Sequence, residues 1–119
     1  MSDILNPVDV ERKISEISDR IAKGVRVVSD AHGQWLKAEK VYKEAYAKAY
    51  LGDGEGPAHA RRYVADLATL EERDARDVAA VAYRHVRDLA RALEKELAAT
   101  QSIGASVRQM YGVAGRGES

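Results

Sequence analysis

A chain of 119 residues with 19 basic and 19 acidic side chains has the size of one domain and no net charge, so nothing global draws it to nucleic acid or to membranes, and any polyanion binding must come from local clustering or from assembly. Cysteine is absent, which excludes a disulfide framework and thiolate metal sites. With 45% hydrophobic and 32% charged residues, no phenylalanine, one tryptophan and two prolines, the alanine-rich composition points to long helices and a modest core.

The opening segment, MSDILNPVDVERK, has neither a basic start nor an apolar run, so no signal peptide is expected. No stretch of about 18 apolar residues follows, so no membrane-spanning helix is expected. Asn6, Pro7 and Asp9 read as a helix start: an N-cap, a first-turn proline and a first-turn acid. A seven-residue ladder then runs through Ile14, Ile21, Val28, Trp35, Tyr42 and Ala49. A second fills the alternate seam with Ile17, Gly24, Ala31, Ala38 and Ala45. This 3-4 spacing is coiled-coil periodicity, with one large and one small seam. Gly24 and Gly33 each cost about 1 kcal/mol relative to alanine.

The first helix is predicted over about 7–51. The glycines of GDGEG make a hinge over 52–56, and Pro57 starts a second helix over about 57–111, with Gly56 as its cap. Its first part is amphipathic through Val64, Leu67, Ala68 and Leu70. The charged EERDARD is solvated and is the expected place for a bend. Beyond it the predicted ladder is Ala75, Ala79, Ala82, Val86, Leu89, Leu93, then Leu97 or Glu96, Thr100, Ile103, Val107 and Met110. Residues 112–119 read as a frayed tail. The fold class is therefore all-α: a single domain, 1–119, forming a long antiparallel helical hairpin, coiled-coil-like and assembling into an oligomer that buries the remaining apolar seam. Leu89, Leu93, Leu97, Ile103, Val107 and Met110 are the expected oligomerisation residues.

Motifs for chemistry are missing. His32, His59 and His85 form no HxxxH or HExxH pair, and no phosphate-binding or nucleophile-elbow motif occurs. Asp53 and Glu55 fall short of a calcium-loop ligand series. No catalytic residue, metal site or cofactor is expected, and the chain reads as a non-enzyme. What remains is KVYKEAYAKAYLGDGEGPAHARRY. A hairpin brings Lys37, Lys40, Lys43 and Lys48 to the same end as Arg61 and Arg62. Tyr46 and Tyr50 lie off the Tyr42 seam, available as base-stacking platforms. Single-strand binders combine such cations with aromatic faces. The plain alternative is tyrosine packing against a facing helix, with lysines favoured near a helix C-terminus.

The order of GQWLKAEK, a Lys/Ala/Tyr helix ending in AYLGDGEG, then ARRY, and a closing ATQSIGASVRQMYGVAG resembles that of the UvsY-type recombination mediators of phages, over roughly residues 30–115. The resemblance implies an oligomeric helical accessory protein without enzymatic activity. Such a protein binds single-stranded DNA and helps load a RecA-like recombinase onto DNA covered by single-strand-binding protein, in the cytoplasm of a bacterial host. It maps the basic helix onto Lys43, Lys48 and their neighbours, and the assembly helix onto about Leu93 to Tyr111. The alternative is a helical interaction or structural phage protein with no DNA contact.

Overall fold

The computed structural model describes residues 6–52 and 56–117, the last five as backbone alone. Three helices follow in order: α1 (Pro7–Gly52), α2 (Ala58–Ala68) and α3 (Leu70–Gly117), with no strand among the described residues. The chain divides into two compact units, Met1–Arg26 with Asp88–Ser119, and Val27–Arg87.

α1 starts as its sequence dictates. The Asn6 side chain accepts from the Asp9 backbone N–H at 2.9 Å and donates to the Asp9 carboxylate at 2.9 Å, so one orphan donor of the first turn is satisfied. The helix then keeps strict heptads. Val10, Ile17, Gly24, Ala31, Ala38 and Ala45 form one inward row, and Ile14, Ile21, Val28, Trp35, Tyr42 and Ala49 the other. Asp53, Gly54 and Glu55, the centre of the expected hinge, lie outside the described residues. Gly56 follows at φ +96°, a left-handed conformation that only glycine takes at low cost. Pro57 acts as the N-cap of α2 in place of Gly56, so the helix starts one residue later than expected; its carbonyl accepts from Ala60 and Arg61 at 3.0 and 3.2 Å.

The predicted second helix is two helices. The break falls at Thr69, upstream of EERDARD, where φ and ψ are −119° and 24°. The buried Thr69 hydroxyl donates to the Ala65 carbonyl at 2.7 Å, and its N–H turns back to Asp66 at 3.4 Å. EERDARD itself is regular helix, and α3 continues to Gly117, past the expected end near 111.

The inward rows of α3 are Arg76, Ala79, Tyr83, Val86, Ala90, Leu93, Leu97, Thr100, Gly104 and Val107, with Ala80 also buried. Every second step of the predicted ladder is thus displaced by one residue: Ala75, Ala82, Leu89, Ile103 and Met110 point outward. The cause is visible at Gly104. A Cβ built there would lie 2.9 Å from the Val10 Cγ1 and 3.7 Å from the Ile14 Cδ1, so the small residue faces in and the bulky Ile103 is turned out. Of the six expected oligomerisation residues, Val107 is buried and Leu93 and Leu97 are half-buried within their unit. Leu89, Ile103 and Met110 are exposed, Met110 at 68%.

Candidate nucleic-acid interface at the hinge end of α1 and α2

The helical repeat of α1 decides what its side chains can share. Residues four apart are neighbours on a helix surface, and Tyr42, Tyr46 and Tyr50 accordingly form a row, with ring centroids 6.1 and 6.4 Å apart. Guanidinium groups close both ends. Arg76 of α3 lies 4.4 Å over the Tyr42 ring, and Arg61 of α2 lies 5.9 Å from the Tyr50 centroid. A cation over an aromatic face gains about 0.5–1 kcal/mol where exposed and about 2 when desolvated. Tyr42 therefore packs inside the unit. Tyr46 and Tyr50 are half-buried, and Arg62, which is exposed, joins them with Ala47 and Leu51 around an open hollow of about 440 Å³.

The expected cations divide into separate groups. Taking the Trp35–Tyr42–Ala49 row as position a of the heptad, Lys43 is at b, on the flank of Tyr46 and Tyr50. Lys37 and Lys48 are at c and g, on the opposite flank, and Lys40 is at f, facing directly away from the seam. Lys43 is itself 3.3 Å from Glu39, one turn earlier. Lys37 lines a different hollow, of about 520 Å³, with Ala38, Val41 and α3 residues Glu71, Glu72 and Ala75. Its neighbourhood is acidic, the reverse of what a phosphate needs. The structure thus brings together Tyr46, Tyr50, Arg61 and Arg62; Lys37 lines the other hollow, and Lys40, Lys43 and Lys48 line neither.

Two elements of this unit escaped the sequence reading. Arg76 sits in a stretch read as solvated, yet it occupies an inward heptad position and its planar group covers Tyr42. The second is a cluster of His32, Trp35 and Tyr83, with the Trp35 and Tyr83 rings stacked at 5.4 Å and His32 4.9 Å from Tyr83. Arg87 adds a guanidinium 5.4 Å from the Tyr83 centroid. A signal was present, since Arg76 and Tyr83 are seven residues apart and share a row.

Among the described residues no group of three or more His, Cys, Asp or Glu side chains could hold a metal ion. No described helix is long and apolar enough to cross a membrane. No protein-family model, curated protein or solved structure matches the chain.

Proposed function

We propose that this chain is a non-enzymatic accessory protein that works as an assembly and contacts single-stranded DNA through the hinge end of α1 and α2. The observation that carries the reading is the convergence of Arg61 and Arg62 on the Tyr46–Tyr50 row. Cations beside aromatic faces are what a flexible strand recognises, with phosphates taken by arginine and bases by the ring faces. The order of sequence motifs, which resembles the UvsY-type recombination mediators, gives the role: helping a RecA-like recombinase onto DNA coated by single-strand-binding protein. With no net charge on the chain, a single copy offers few phosphate contacts, and affinity comes from repetition of the patch in an assembly.

The test is binding of a fluorescent oligothymidylate at two salt concentrations. Affinity should fall steeply with salt, each phosphate contact contributing about −0.7 to the log–log slope for a single strand. Arg62→Ala should flatten that slope, while Lys37→Ala, in the hollow shared with Glu71 and Glu72, should leave it unchanged. No binding at low salt by fully assembled protein sinks the proposal.

A second reading, a helical interaction protein with no DNA contact, is favoured by a different observation. Large apolar side chains on all three helices are exposed, among them Val25, Leu67, Val78 and Met110. Under that reading, replacing Lys43, Arg61 and Arg62 together leaves function intact.

A further inference from the structure

The rings of the unit Val27–Arg87 form two groups on one flank of α1. In the heptad frame of that helix Trp35 and Tyr42 are at a, His32 and Tyr46 at e, and Tyr50 at b, three positions within about 100° of one another around a helix. The first group is the Tyr46–Tyr50 row at the hinge end. The second is His32, Trp35 and Tyr83, and its geometry is that of a short stack. The Trp35 and Tyr83 rings are 5.4 Å apart and 18° from parallel, and the His32 ring lies 4.9 Å from Tyr83. Trp35 and Tyr83 are half-buried, whereas His32 is exposed. The stack thus begins between α1 and α3 and ends on a ring in water.

Each group carries its own guanidinium. Arg61 lies 5.9 Å from the Tyr50 centroid, and Arg87 lies 5.4 Å from that of Tyr83. Between the groups stands a third, Arg76, 4.4 Å over Tyr42 and with 31% of its side chain exposed. Two carboxylates of this unit are already matched, Glu39 by Lys43 at 3.3 Å and Asp77 by Arg76 at 3.1 Å. Ring faces interleaved with cations suit a single strand, which sets its bases on the rings and its phosphates on the charges between them. From Trp35 to Tyr50 α1 rises about 22 Å, which is roughly six nucleotides at the helical spacing of about 3.4 Å.

We propose that the exposed His32 ring, backed by Trp35 and Tyr83, is a second base-stacking subsite on the path of the same strand. This rests on the strand-binding reading of the hinge end and extends it. A strand seated on Tyr46 and Tyr50 continues past Arg76 to His32, so one copy covers roughly six nucleotides. The composition of the cluster argues for a base over a protein helix as its occupant. A helix seats its anchors in an apolar groove, while this cluster offers rings and a guanidinium, on which bases stack.

Trp35 is the one tryptophan of the chain, so its emission reports the second subsite alone. The whole protein is titrated at low salt with oligothymidylates of about 4 and about 12 nucleotides. Anisotropy of end-labelled strands measures binding, and unlabelled strands are used to follow Trp35 emission. Both lengths should bind, and the longer alone should quench Trp35. His32→Ala, at an exposed position, should weaken the longer strand about fivefold or more and leave the shorter unchanged. His32→Tyr, which keeps a ring, should restore the affinity. Bridging between copies also favours a longer strand, which is why Trp35 and His32 carry the reading. A longer strand that binds while Trp35 emission holds steady overturns the second subsite and leaves the hinge-end reading standing. So does one that binds His32→Ala as tightly as wild type, and so does full quenching by the shorter strand. No binding of either length overturns both.

Discussion

The two compact units solve one packing problem with different chemistry. The unit made of Met1–Arg26 and Asp88–Ser119 packs aliphatic side chains against small ones: Val10 and Ile14 reach Gly104, and Ile17 and Val107 are buried. The unit Val27–Arg87 packs rings and guanidinium groups: Trp35 on Tyr83, Arg76 over Tyr42, Arg61 near Tyr50. Aliphatic packing stabilises and recognises nothing polar. Arginine–aromatic packing holds helices together with guanidinium groups and ring faces, the chemistry that the proposed function draws on. The difference teaches where to look for activity in a chain with no catalytic motif.

The comparison can be broken or sharpened by substitution. Ile17→Ala, at a residue 2% exposed, should cost about 2–5 kcal/mol, read by urea unfolding. Hydrogen exchange should then speed up chiefly outside Val27–Arg87; equal acceleration inside that segment would show that the two regions open as one and erase the distinction. Gly104→Val should cost about 1–3 kcal/mol through overpacking, because the clash is with a stiff β-branched neighbour. Arg76→Lys should cost about 0.5–2 kcal/mol, since an ammonium cannot lie flat on the Tyr42 ring as a guanidinium does; a tyrosine fluorescence change should accompany it. The smallest effect has the opposite sign. Gly24→Ala, where an added Cβ meets nothing within 4 Å, should stabilise by about 0.5–1 kcal/mol, a rise in Tm that Gly104→Ala should not reproduce in full.

The first helix was legible almost residue by residue. Its two heptad rows are the inward rows of α1, because Ile14, Ile17, Ile21 and Trp35 stand out against polar neighbours. In α3 the large residues misled. Leu89, Ile103 and Met110 score as core by hydrophobicity, but the partner helix already fills that space, and Ala90 and Gly104 take the inward positions by being small. That preference depends on the facing helix and leaves no mark on the local pattern. α2 shows a related failure: its apolar spacing is plain, while the side it presents to its own unit is set by the close approach of Ala65 and Thr69. At the candidate site, Arg61 lies 5.9 Å from the Tyr50 centroid and Arg62 shares a hollow with Tyr46 and Tyr50, a closeness that the sequence expects of any hairpin. The four lysines share the outward half of α1, at positions b, c, f and g, and of them only Lys37 lines a hollow.

The hole at Gly104 has a further consequence, for alignment. Two long heptad helices can slide past each other by seven residues and still match apolar row to apolar row. In its row Gly104 is flanked, one heptad away on each side, by Leu97 and Tyr111. A slip in either direction sets Val10 against one of those larger side chains in place of the glycine. Gly104 and Val10 therefore act as a key and its slot: within their own unit they select one register from several that hydrophobicity alone would accept.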